Sequence, residues 1–354
     1  MALSTGGAAA PAAPAPDGPG ASSPADPLQD GSAPARRARG GRRLLAYLLR
    51  SRKALAGVVI LLVFVATALL APVVFPGDPM HITATGSLPP SAEHLLGTTA
   101  KGQDVLALTA WGARSSLLVG FVAGAASTLI GVVVGLLAAY AGRTTDSLLS
   151  LLTNVFLLIP SLPLLVILAA FLPSGIGTVV VVLIITGWAG SARVLRSQAL
   201  SIRGKDFVAA AVVTGERPSR IMFREILPNM ASIVMSGLLA CIIGAIGAQA
   251  GIEFLGLGDG STVSWGTNLY WASNDGALLS GAWWVFVPSG ACIALVALAL
   301  ALVNYAVDEI TNPRLRTPAR RRSATDPTPV TVADAGPAAV AETGAAGSTK
   351  GTAP

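Results

Sequence analysis

Residues 204–229 read GKDFVAAAVVTGERPSRIMFREILPN and lie between two apolar stretches. This run is too long and too apolar to be a simple hydrophilic turn. Residues 205–214 favour a helix, and Gly215 suits its left-handed C-terminal cap. Pro218 fits the first turn of a second short helix, and Pro228 falls where the next apolar segment begins. The stretch reads as a helix-turn-helix at a membrane surface, with Phe207, Ile221, Met222 and Phe223 available to dock on a partner.

Working outward, six apolar segments flank this loop, at about 54–75, 116–140, 148–172, 176–188, 231–250 and 283–307. A run of roughly 18 or more apolar residues is long enough to cross the hydrocarbon core as a helix. The fourth segment is short, and the third contains Pro160 and Pro163, which mark a kink. The chain is therefore expected to be an all-α polytopic membrane protein with six transmembrane helices. Residues 44–316 form its transmembrane domain. Tails at 1–43 and 317–354, rich in Ala, Pro, Gly and Ser, have little to bury and are expected to be disordered. Neither tail reads as a signal peptide.

Charge supports this organisation. Of 354 residues, 53% are hydrophobic and only 12% charged, against about 25% charged in an ordinary soluble domain. Eight Lys or Arg precede the first segment, one (Arg143) lies between the second and third, seven lie between the fourth and fifth, and six follow the last. Only Lys101 and Arg114 fall on the other side, so 22 of the 24 basic residues share one face. The positive-inside rule assigns that face, and both termini, to the cytoplasm. Basic residues that track the segment ends are topology signals, which excludes nucleic acid as the reason for the net charge of +6. Five or seven spans would mix the two groups.

Within the segments, Gly120 and Gly124, then Gly131 and Gly135, have the four-residue spacing that lets helices approach closely. Cys241 and Cys292 both sit in apolar runs and read as small buried residues. His81 and His94 are too few for a metal site and read as loop residues. Glu253 and Asp308 fall at or just past segment ends, and the spans otherwise lack the intramembrane carboxylates of an ion-coupled carrier. The aromatics Trp265, Tyr270 and Trp271 read as interfacial anchors, with the outer mouth of a pathway as the alternative. No phosphate-binding Gly-x-x-x-x-Gly-Lys-Ser/Thr run is present, so the chain is not expected to hydrolyse ATP itself.

The loop resembles the "EAA" loop of binding-protein-dependent ABC importer permeases, through Ala210, Ala211, Gly215, Ile226, Leu227 and Pro228. The acidic position of that loop is Ala209 here. Leu96 to Leu106, LGTTAKGQDVL, resembles the "LGTDxxGRDVL" segment of the dipeptide, oligopeptide and nickel branch. GARSSLLVG (112–120), FLGLG (254–258), SWG (264–266) and NPRLR (312–316) are similar to further segments of that branch, and the likeness covers about residues 45–316. The resemblance implies the type I ABC importer permease fold and a C-type subunit of the bacterial inner membrane. It implies a second permease, two ATPase subunits or a fused one, and an external substrate-binding lipoprotein as partners. Cargo would be dipeptides or oligopeptides, with nickel as an alternative and secondary transport as the runner-up mechanism. ATP and magnesium would be bound by the ATPases, leaving no cofactor in this chain. The ATPase-coupling residues it implies are Phe207, Ala209, Ala210, Gly215, Arg217, Pro218, Ile221, Phe223, Ile226, Leu227 and Pro228.

Overall fold

A computed structural model describes residues 51–311, with side chains through Glu309. The expected tails, the basic residues 36–50 and the match at 312–316 lie outside the described residues. Helices account for nearly all the regular structure: α1 Arg52–Val74, α2 Val105–Tyr140, α3 Arg143–Leu158, α4 Ser161–Phe171 and α5 Ile176–Arg203. Then follow α6 Asp206–Val213, α7 Pro218–Arg220, a π-helical turn Ile221–Ile226 and α8 Leu227–Asn229. The last are α9 Ala231–Phe254, α10 Trp265–Asn274 and α11 Trp283–Thr311. Among the described residues the only β pairing is an isolated bridge between Thr98 and Asp104.

Five helices (α1, α2, α5, α9 and α11) are long and apolar enough to cross a membrane singly. The pair α3–α4 passes that test together but is bent by 84°, the geometry of a broken span or a re-entrant loop, which gives five spans, or six if the pair counts as one. The cause is Pro160, which disfavours helical backbone at the residue before it. Ile159 is accordingly extended (φ −74°, ψ 126°), and the chain restarts at Ser161. Pro163 falls in the first turn of α4, where its missing N–H costs nothing.

Two helices overrun their apolar segments. α2 has 36 residues and starts at Val105, eleven residues before the expected Ser116. At about 1.5 Å per residue it is roughly 54 Å long, well beyond the roughly 30 Å hydrocarbon core. α5 continues past Trp188 to Arg203 and carries Arg193 and Arg196, which were expected in the loop. These charges persist in a helix because they are paired. Arg196 makes a bidentate contact with Asp146 of α3 (2.6 and 2.7 Å), and Arg193 donates to Asn154 Oδ1 (2.6 Å).

α2 is the central element. Lipid tails are as apolar as leucine, so close packing holds spans together rather than expulsion from water. Gly120 and Gly124 seat against Ile246 and Ile242 of α9, while Gly131 and Gly135 seat against Ser191, Ala192 and Leu195 of α5. A Cβ on Gly124 would come within 2.8 Å of the Ile242 backbone. The two four-residue glycine pairs thus serve two different neighbours on one helix.

Candidate coupling loop and helix-lined cleft

The loop adopts the backbone that its sequence dictates. Gly215 takes φ +76°. Its N–H donates to Val212 O (3.0 Å), and that of Glu216 donates to Ala211 O (3.1 Å), the paired bonds of a left-handed helix C-cap. Asp206 sits in the first turn of α6, where its charge suits the helix dipole. Pro218 opens α7 at the first-turn position where its missing N–H is harmless. Downstream, Pro228 cannot donate to Arg224 O, and the helix accommodates this with the π-helical turn ahead of it. The Asn229 amide donates to Glu225 O (2.6 Å), supplying a side-chain donor nearby.

The expected coupling residues divide by burial. Ile221 and Ile226 are fully buried, and Met222 nearly so. They pack with Val208 and Met230 against Val132, Leu136 and Ala139 of α2 and Leu195 and Ala199 of α5. Ile221, Met222 and Ile226 are therefore not available to a partner, contrary to the sequence reading, because the hydrophobic side of the second helix packs on this chain's own bundle. Leu227 is half-buried. Phe207, Ala209, Ala210, Gly215, Arg217, Pro218, Phe223 and Pro228 remain exposed. Arg203 strengthens the anchorage by donating to Ala139 O (2.7 Å) with its guanidinium over the Tyr140 ring. A displacement of the loop must therefore carry the adjoining ends of α2 and α5 with it.

Those helices border a cleft of about 620 Å³ between α4, α5 and α9, touched by Ser127 of α2. Its polar groups are hydroxyls and one thiol: Ser127, Ser161, Thr186, Ser191, Ser236 and Cys241. Its lining contains no ionisable carboxylate, amine or guanidine. Gly190, Gly237 and Gly244 line it with open space where a Cβ would stand. Cys241 lies 3.3 Å from Ser191 Oγ, so it faces the cleft rather than a packed core. Cys292, by contrast, packs beside the cluster of α1, α2, α9 and α11. Asp308 adjoins one edge, accepting from Ser236 Oγ (2.8 Å). Nothing in the sequence marked this cleft, because its walls are small residues and ordinary aliphatics with no distinctive pattern.

The segments joining α1 to α2 and α9 to α11 form a second packed region. Asp104 caps α2 through Oδ1 (3.0 Å from Ala107 N), and its Oδ2 meets His94 Nδ1 at 2.8 Å. His94 is thus a tie within the loop, and His81 is exposed. Trp265 is fully buried, its backbone N–H donating to Ser116 Oγ (3.1 Å) and its indole to Thr109 O (3.0 Å). It is neither interfacial anchor nor mouth residue: Gly112 leaves the space that lets its segment lie against α2. Glu253, read as a span-end residue, is buried and receives hydrogen bonds from Ser264 Oγ and from the Gln249 amide (3.0 Å for the latter). On the exposed turn beyond it, Ser261 donates hydroxyl and backbone hydrogen bonds to Asp259, holding that carboxyl below the ordinary range. Lys101 stacks over the Trp271 ring, 3.2 Å from its centroid.

The described residues form a polytopic helical bundle with a proline-interrupted third segment and an anchored surface loop. Residues 131–317 match the family described as the binding-protein-dependent transport system inner membrane component. The chain is 34% identical over 273 residues to a dipeptide transport system permease protein of Bacillus subtilis (strain 168), covering 76% of this chain and 84% of that protein. It is 31% identical to the oligopeptide transport system permease protein of the same organism, covering 75% and 88%. Among solved structures, inward-facing MetNI methionine ABC transporter matches at 20% identity and TM-score 0.47, covering 58% of this chain and 94% of that one. The chain belongs to the binding-protein-dependent transport system inner membrane component family. It is a multi-pass inner-membrane permease subunit of an ABC importer.

Proposed function

We propose that this chain is one of two permease subunits of an ATP-driven peptide importer, and that the α4–α5–α9 cleft is its share of the translocation pathway. The dipeptide and oligopeptide transport systems of the Bacillus subtilis relatives support peptide as the cargo. The observation that carries the pathway is the largely apolar cleft, with hydroxyls of α4, α5 and α9 along it and open space at Gly190, Gly237 and Gly244, joined through α5 to the buried root of the loop. Hydroxyls can exchange hydrogen bonds with a peptide backbone without selecting its side chains, which leaves cargo choice to an external binding protein. In this reading a second permease covers the cleft, and separate ATPase subunits hold ATP and magnesium and seat the exposed face of α6. The chain itself performs no hydrolysis and carries no cofactor. Both termini face the cytoplasm in this reading, which the basic-residue asymmetry supports. Closure of the ATPases on ATP favours one arrangement of the bundle by differential binding.

The test is uptake of a labelled dipeptide into vesicles containing the complete transporter. Uptake that requires ATP and survives collapse of the proton gradient is expected. Uptake that follows the gradient and ignores ATP would establish a secondary carrier instead. Competition by nickel ions but not by peptides would keep the importer and change its cargo.

A further inference from the structure

α5 carries three arginines toward its loop-side end, and they are not equally satisfied. Arg196 is neutralised by its bidentate contact with Asp146, and Arg203 is held by Ala139 O and the Tyr140 ring. Arg193 is exposed. It donates to a neutral amide, Asn154 Oδ1 (2.6 Å), and has no carboxylate partner among the described residues. A hollow of about 140 Å³ opens beside it between α2, α3 and α5. Gly135 and Ala138 of α2, Ser150 and Asn154 of α3, and Arg193 and Arg196 of α5 line it. It shares no lining residue with the cleft. Asn154 turns its Oδ1 to the guanidinium, which leaves its amide N–H groups available to a further acceptor. Beside Asn154 runs an apolar stripe on α3: Leu151, Val155 and Leu158, at helical spacing, are 61%, 45% and 82% exposed. The stripe leads away from the loop-side end of α3 toward the break at Ile159.

We infer that this hollow binds an anionic phospholipid, its phosphate held by Arg193 and the Asn154 amide and an acyl chain lying along Leu151, Val155 and Leu158. Charge selects the headgroup. Two guanidiniums and the one carboxylate of Asp146 leave a single uncompensated positive charge at the hollow. Such a charge on a span is costly unless it is paired. A phosphate diester offers a guanidinium two oxygen acceptors, and a zwitterionic headgroup neutralises it less because it brings its own cation. The exposed stripe fits the tail that a free phosphate lacks. Placing the lipid in the cytoplasmic leaflet rests on the orientation proposed above; the binding itself does not. The second permease is the competing occupant of the stripe.

The experiment uses the complete transporter in bilayer discs of phosphatidylcholine with a minor share of phosphatidylglycerol, and counts by native mass spectrometry the lipid retained after extraction. The wild type is expected to retain phosphatidylglycerol about fivefold or more above its share in the disc. Arg193→Gln is expected to lose most of that enrichment while the ATPase subunits still copurify. Arg193→Lys, which keeps the charge but not the planar fork, is expected to keep part of it. An excess of inorganic phosphate is expected to leave the lipid in place. Absence of enrichment on the wild type, a result that needs no variant, would overturn the site, and so would undiminished enrichment with Arg193→Gln. Displacement by inorganic phosphate would assign the hollow to a free anion and overturn the lipid. Leu151→Cys, with Cys241→Ser and Cys292→Ser, decides what covers the stripe. Quenching of a fluorophore attached there by lipid-borne quenchers supports the lipid, whereas a short thiol cross-link to the second permease would overturn it. Lipid retention is read without cargo, so a failure of peptide import leaves this test standing.

Discussion

α2 and α9 are both rich in glycine and use it in opposite ways. On α2, Gly120, Gly124, Gly131 and Gly135 are all pressed against a neighbouring helix, and a Cβ there would strike side chain or backbone. On α9, Gly237, Gly244 and Gly247 meet nothing within 4 Å. One helix spends its glycines on contact and the other on space. The same spacing rule that explains α2 would mislead on α9, because absence of a side chain brings helices together only where a neighbour fills the gap. At Gly237 and Gly244 the unfilled gap is the cleft.

Substitutions that exchange these roles break the comparison most strongly. Gly124→Leu must move the Ile242 backbone, and no assembled protein is expected in membranes by immunoblot, since overpacking of this kind costs about 1–3 kcal/mol or more. Gly244→Leu projects into open space, so the protein should accumulate normally while ATP-dependent peptide uptake falls about tenfold, as bulk narrows the cleft. Normal uptake with Gly244→Leu would mean that the space on α9 is not a passage. Gly215 is a third use of the residue, for a positive φ. Gly215→Asp should insert normally but lose most uptake, whereas Gly215→Asn, which tolerates that conformation better, should retain more; equal loss would point to something other than the turn. The smallest effect is expected from Asp146→Asn. Its pair with Arg196 is about one-third exposed on each side, so thermal stability should shift by no more than about 1 kcal/mol equivalent.

Much of this was legible in the sequence, for reasons that hold residue by residue. Gly215 and Pro218 have few backbone options, so the helix-cap-helix loop followed directly from them. The break in the third segment was announced by Pro160. The length of α5 was not legible: Arg193 and Arg196 end the apolar run, and only their partners on α3, Asn154 and Asp146, explain why the helix continues. The burial of Ile221, Met222 and Trp265 was also hidden. An exposed docking side chain and a buried anchor are the same apolar residue until the neighbours are known. The cleft was the least legible feature, since it is defined by what its residues lack.

Cys241 offers the most direct test of the cleft as a passage. In a Cys292→Ser background, the cleft thiol is the sole reactive one among the described residues. A small membrane-permeant thiol reagent should label Cys241 in the assembled transporter and block ATP-dependent peptide uptake, and transported peptide should slow the labelling. Complete labelling of Cys241 with uptake unchanged would contradict the assignment of the α4–α5–α9 cleft to the translocation pathway.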